Sequence, residues 1–311
     1  MDGVRADGTD GAGDGGMNGV RERLSSRAFS LVAVVIAFLW TTPTLGLFLS
    51  SFRPEDDIKT TGWWTVFGSP HLTLDNYGEV LFGSGNASGR LAEHLVNSLV
   101  ITLPSVLFPL VLAFFAAYAL AWIDFRGRDA LVVGVFALQI VPLQMALVPL
   151  LKLFSQGWLS VPAWDAEGPA RFGHVWFAHT AFALPFAVFL IHNYLAGLPR
   201  ELIEAARVDG ASHGTLLLRI VLPLARPALV TFAVIQFVWV WNDLLVALTL
   251  SGGTAETAPM TVRLAGLAGT RGDEWQRLTA GAFVSALVPV LVFLSLQRHI
   301  ARGLPAGTVK G

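Results

Sequence analysis

Six long blocks with almost no charge limit what this chain can fold into. They cover roughly 29–50, 98–123, 130–154, 176–198, 228–250 and 280–296. A bilayer core about 30 Å thick is crossed by about 20 apolar residues of helix, so each block predicts one span. Several blocks carry proline: Pro43, Pro104, Pro109, Pro142, Pro149, Pro185 and Pro289. Proline within a span frees a carbonyl, which is tolerated where a neighbouring helix supplies a donor. The expected fold is therefore an all-α integral membrane bundle of six helices. Composition agrees, since only 14% of the 311 residues are charged and 54% are hydrophobic. Soluble domains carry roughly 25% charged residues, so this chain lacks the charge to cover a water-facing surface.

The same arithmetic excludes several functions. A net charge of -1 argues against nucleic-acid binding. Cysteine is absent, which removes disulfides, thiol catalysis and thiolate metal sites. The only lysines are Lys59, Lys152 and Lys310, and none sits in a phosphate-binding G-x4-G-K-[ST] loop. There is no H-E-x-x-H and no paired intramembrane carboxylate. Gly210-Ala211-Ser212-His213-Gly214 fits G-x-S-x-G, but a nucleophile elbow needs a strand before it, and helix patterns flank it here. Gly11, Gly13 and Gly16 match G-x-G-x-x-G inside a Gly- and Asp-rich stretch with no strand ahead, which reads as low complexity. Residues 1–28 have no apolar run and are expected to be a disordered tail.

Lys and Arg near the span ends set orientation. One side holds Arg21, Arg23, Arg27, Arg126, Arg128, Arg200, Arg207 and Arg219, with others near the C-terminus; the opposite side holds fewer. The bias places both termini and the loop over 198–226 in the cytoplasm. The first external loop, 52–94, is long, and its Trp63 and Trp64 suit either an interface anchor or a small packed lid.

The 198–226 loop is the most informative polar segment. Pro199 suits a helix start, where its missing N–H costs nothing. Residues 200–208 are good helix formers, with Leu202, Ile203, Ala206 and Val208 as an apolar side. Gly210 supplies a left-handed stop, and Ser212 can cap the next helix. The prediction is a short amphipathic helix, a glycine turn and a second helix climbing to the membrane. So short a helix is marginal alone. A helix lying on lipid would show a broad apolar face and a basic polar face. This one has small Ala205 and Ala206 beside acidic Glu201 and Glu204, which favours docking on a protein partner.

The residues Glu204-Ala205-Ala206, then Gly210, then Ile220-x-Leu222-Pro223 match the EAA-x3-G-x9-I-x-L-P signature without a gap. The chain thus resembles the permease subunits of type I ATP-binding-cassette importers. Weaker matches at Ser51-Phe52-Arg53-Pro54, at residues 72–77 and at Trp241-Asn242-Asp243 resemble the carbohydrate-uptake branch. The tail over 303–311 resembles the end of the smaller permease of maltose importers. The likeness covers about 29–311, implying a permease domain over 29–300 and a cytoplasmic C-terminal tail over 301–311. It implies that Glu204, Ala205, Ala206, Gly210, Ile220, Leu222 and Pro223 form the coupling element, seated on a partner ATPase dimer that the tail also meets. It further implies a second permease chain, an external solute-binding protein and a location in the bacterial cytoplasmic membrane. ATP and Mg are then used by the ATPase partner, with no cofactor bound by this chain and no enzymatic activity in it. The implied cargo is a sugar or oligosaccharide, with another small solute as the alternative. A stand-alone secondary transporter would show internal repeats or charged relays, and neither is evident.

Ionisable and polar residues within spans are costly and are functional candidates by default. Asp243 is the clearest, beside Asn242 and Trp241 in the fifth block. Gln236 and Gln144 join them as a candidate translocation path. The competing role for each is an interhelical contact that fixes packing. His174 and His179 have no evident carboxylate partner for a metal site.

Overall fold

The computed structural model describes residues 14–83, 90–157, 163–164, 167–254, 256–268 and 274–300, with side chains described from residue 29 to 298 among these. The first unit, 1–73, is built on α1 (Asp14–Ser50). Its helix starts well before the expected boundary at residue 29, which corrects the expectation for residues 14–28. Extending an existing helix is far easier than nucleating one, so the span carries Val20–Leu24 and their neighbours with it. Residues 1–13 and the tail over 301–311 lie outside the described residues.

After α1 come α2 (Glu55–Thr60) and a 3-10 turn, Trp63–Phe67. Arg53, almost fully buried, organises this segment. Its Nη2 donates to the carbonyl of Asp57 at 3.0 Å and to the hydroxyls of Thr65 (3.2 Å) and Thr61. Trp63 lies against α1 at Gly46, where a Cβ would come within 2.8 Å of the indole nitrogen. Trp63 therefore packs on α1 within its own unit, while Trp64 is exposed.

The second unit, 74–311, contains the remaining helices. They are α3 (Asp75–Phe82), α4 (Leu91–Trp122), α5 (Arg128–Leu138) and α6 (Leu143–Gln156). A 3-10 turn (Gly168–Phe172), α7 (Gly173–Ala196), α8 (Arg200–Val208) and α9 (His213–Thr215) follow. A π-helical turn (Leu216–Val221) leads into α10 (Leu222–Trp241), α11 (Leu245–Ser251), α12 (Met260–Ala268) and α13 (Trp275–Ile300). The main core lies where α4, α7 and α10 meet. Ala113, Ala117 and Ala187 are completely buried there beside Ile191 and Phe232. Alanine at such contacts lets helix backbones approach closely, which is how helices associate where lipid offers no hydrophobic gradient.

Among the described residues, five helices are long and apolar enough to cross a membrane by themselves. The expected third span over 130–154 is instead two helices, α5 and α6, bent by 94°. The break falls at Gln139–Pro142, because a residue before proline is pushed out of the helical region. Pro142 itself is extended, with ψ 126°. The fifth block also differs from expectation. Helix starts at His213 and ends at Trp241, so the apolar block over 228–250 is split between α10 and α11.

Three prolines show how the bundle holds itself together. Each deprives the carbonyl four residues earlier of its helical donor. Pro104 frees Val100, and Trp176 of α7 donates its indole N–H there at 2.9 Å. Pro109 frees Ser105, and Gln236 of α10 donates its amide at 3.4 Å. Pro289 frees Ser285, and Trp241 of α10 donates at 3.0 Å. Helices α4, α7, α10 and α13 are thus tied by side-chain donors at their own weak points. The cost of each buried, unpaired carbonyl is removed by a neighbour.

At the end of the bundle away from α8, the loop after α11 is fastened to α4. His94 Nδ1 lies 2.7 Å from the Ala258 carbonyl, Asn97 donates to the Glu256 and Ala258 carbonyls, and Ser98 accepts the Met260 N–H. His94, Asn97 and Ser98 share one face of α4 by helical spacing.

Candidate functional site

The site grows from the residues after α7. Pro199 precedes α8 with extended ψ of 126°, and Arg200 opens the helix. Within α8, Ile203 is 3% exposed and packs with Leu195, Leu216 and Val221, while Ala206 lies beside the same cluster. The opposite face presents Glu201, Glu204, Ala205 and Val208, spaced as one helical stripe. Val208 is 87% exposed and Leu202 48%. The apolar side expected from the sequence is therefore divided. Ile203 and Ala206 anchor the helix inward, and Leu202 and Val208 face out.

The helix ends in a Schellman turn. Gly210 has φ of 82°, the left-handed value glycine adopts without penalty. Its N–H donates to the Arg207 carbonyl, and the Ala211 N–H donates to the Ala206 carbonyl, both at 3.0 Å. These are the 5→2 and 6→1 bonds of that motif. A Cβ at Gly210 would meet open space, so the demand for glycine comes from backbone strain and not from crowding.

Ser212 then caps the next segment, its Oγ accepting the Thr215 N–H at 3.3 Å. The segment passes through a π turn before α10, and the Leu222 N–H reaches the Leu217 carbonyl, five residues back. Pro223, at the start of α10, is the cause that the sequence supplies. It has no N–H to give, and its ring crowds the carbonyl of Arg219. Ile220 and Leu222 pack against the core cluster, whereas Pro223 is exposed. The I-x-L-P end of the signature thus fixes how the loop enters the bundle, and the E-A-A-x3-G end shapes what it displays. Two contacts hold the loop to α4. Tyr118 Oη and His213 Nδ1 share a hydrogen bond of 3.0 Å, and Arg207 donates to the Trp122 carbonyl at 3.5 Å.

The mid-bundle polar residues are arranged differently. Trp241 is 2% exposed and stacks on Phe237 at 5.6 Å, and its N–H is committed to Ser285. Gln236 is buried and committed to Ser105. Asp243 lies outside any continuous helix, in the break between α10 and α11. Its carboxylate accepts the N–H groups of Val246 (3.3 Å) and Ala247 (2.9 Å) and so caps α11. Its carbonyl accepts the Thr261 hydroxyl at 2.6 Å. His179 Nε2 lies 3.8 Å from Asp243 Oδ2, a proximity the sequence did not disclose across so long a separation. Asn242 and Gln144 are exposed. The structure does not gather these five residues into one polar surface. Among the described residues no group of three His, Cys, Asp or Glu is placed to hold a metal.

Comparison with known proteins matches this architecture. Residues 94–304 match the model of the binding-protein-dependent transport system inner membrane component family. The osmoprotective compounds uptake permease protein GgtD of Synechocystis sp. is 49% identical, across 90% of this chain and 91% of its own. The alpha-glucoside transport system permease protein AglG of Rhizobium meliloti is 35% identical, across 95% of this chain and 100% of its own. A bacterial ABC transporter involved in importing the acidic polysaccharide alginate contains a chain of the same fold. Its TM-score is 0.64 at 21% identity, over 89% of this chain and 97% of that one. This chain therefore belongs to the binding-protein-dependent transport system inner membrane component family, as a multi-pass permease subunit of an ATP-binding-cassette importer whose ATP hydrolysis resides in a partner subunit.

Proposed function

We propose that this permease subunit passes a sugar or oligosaccharide and that α8 is its coupling helix to a cytoplasmic ATPase dimer. The observation that carries the coupling assignment is that α8 is anchored on one face and exposed on the other. Ile203 holds it to the bundle, while Glu201, Glu204, Ala205 and Val208 stand exposed. A helix anchored on one side transmits a push on the other, since packed interiors deform little. The Schellman turn at Gly210 and the π turn at Pro223 make the connection to α10 short and stiff. Closure of the ATPase dimer would thereby move α10 and the helices tied to it.

In this reading both termini and α8 lie in the cytoplasm, supported by the Arg bias around α8 and the span ends. A second permease subunit completes the path and an external binding protein delivers the solute. The exposed residues Gln144 and Asn242, the latter donating its amide to the Val238 carbonyl at 2.8 Å, are better placed to meet solute than the buried Trp241 and Gln236, which are committed to proline-freed carbonyls. The name of the relative AglG supports an α-glucoside or related sugar. GgtD, named for osmoprotective compounds, supports a second reading in which the cargo is a small osmolyte.

The test is ATP-driven uptake by the assembled transporter in proteoliposomes. Glu204→Lys reverses a charge on the exposed face and should cut uptake at least tenfold with insertion unchanged. Full uptake by that variant would overturn the coupling assignment. Competition of labelled uptake by a panel of glucosides and osmolytes separates the two cargo readings.

A further inference from the structure

We infer that a cavity beside the start of α8 binds the phosphate headgroup of an anionic phospholipid. The cavity has a volume of about 340 Å³ and is formed by the end of α4, the start of α5, the end of α7 and Arg200 of α8. Its polar lining is Arg128, Arg200, His192, Trp122 and Asp129. Asp129 in the lining and Asp124 beside it both pair with Arg128, so Arg200 is the cation of the cavity that no carboxylate neutralises.

Two observations point to a phosphate ligand. Arg200 and His192 form no hydrogen bond or ion pair among the described residues. Arg128 pairs only with Asp124 (2.9 Å) and Asp129 (3.5 Å), whose side chains are 99% and 93% exposed. Ion pairs that open to water are worth little, so a phosphate can compete for that guanidinium.

The geometry favours a lipid as the source of the phosphate. Val132 and Val133 line the cavity one turn into α5, and Val133 and Phe136 continue an exposed apolar face along that helix. An acyl chain fits that face while the headgroup meets the basic end. Basic pockets between spans on the cytoplasmic side are suited to anionic headgroups. The site lies against the anchor of α8, because Arg207 of that helix donates to the Trp122 carbonyl. It rests on α4 and α7 crossing the membrane with their α8 ends on the cytoplasmic side, and not on the coupling assignment.

The experiment uses the full transporter with its partner subunits, in neutral detergent, without ATP or solute. Native mass spectrometry compares retention of phosphatidylglycerol and phosphatidylcholine with matched acyl chains. Phosphatidylglycerol is expected to bind about tenfold more tightly. The double variant Arg128→Gln/Arg200→Gln should lower it to the phosphatidylcholine level, and Arg298→Gln, outside the cavity, should not. If the double variant fails to assemble, Arg200→Gln alone, at an exposed helix start, should give a partial loss. Equal retention of the two lipids, or an unchanged preference in the arginine variants, overturns the site. Displacement of phosphatidylglycerol by millimolar inorganic phosphate would keep the phosphate chemistry but overturn the lipid source. Because no transport is read, failure here leaves the coupling proposal standing.

Discussion

The two ends of the segment from Arg200 to Asp243 use polar residues in opposite ways. At its start, the loop residues that define the family signature are exposed on one face and anchored on the other. At its end, Gln236, Trp241 and Asp243 are taken up by neighbouring backbone groups. Both regions stand out in the sequence as polar departures from an apolar pattern. In water, an exposed glutamate costs the fold nothing, so its presence can serve a partner. Inside a membrane, an unpaired polar group is expensive, so these three are claimed by the fold. A polar residue within a span is thus weak evidence for a transport path until its partners are known.

Variants of decreasing effect would break or sharpen this contrast. Gly210→Val should have the largest consequence, because a β-branched residue does not tolerate φ of 82°. Uptake should fall at least tenfold with insertion retained, whereas Gly210→Asn, which tolerates the left-handed region, should keep most of it. Next, Ile203→Ala should destabilise the fold by about 2–4 kcal/mol in detergent denaturation, as buried truncations do. Val208→Ala on the exposed face should stay within about 0.5 kcal/mol while still lowering uptake. A large stability loss at Val208 would erase the distinction between the two faces.

At the other end, Trp241→Phe keeps the ring and removes the donor to Ser285. It should cost about 1–2 kcal/mol and leave uptake near normal at permissive temperature. Pro289→Ala returns a helical N–H to that carbonyl. A double-mutant cycle should therefore show coupling of about 0.5–2 kcal/mol, and an additive pair would mean the indole contributes only by packing. Asp243→Ala should cost about 1 kcal/mol for a lost helix cap, confined to α11 and visible there as faster amide exchange.

Much of this fold was legible from the chain alone. Hydrophobic block length predicted the spans, and the positions of α4, α7 and α13 follow those blocks closely. The loop was equally legible, because Gly210, Ser212 and Pro223 act through local backbone rules that need no distant partner. The breaks were read less well. Pro142 was expected within a span but stands in a break, just before α6, and Asp243 was expected within a span but caps α11. Hydropathy averages over a window and does not register a single residue that turns the backbone.

What the sequence determined by itself is therefore a membrane bundle carrying a helix–glycine–helix loop of importer type, since length, charge and local turn chemistry are short-range properties. Only the tertiary structure decided which polar residues are committed. Trp176, Gln236 and Trp241 meet carbonyls freed by prolines on other helices, and Arg128, Arg200 and His192 meet around one cavity. Those pairings depend on helix packing across long separations, which no local pattern encodes.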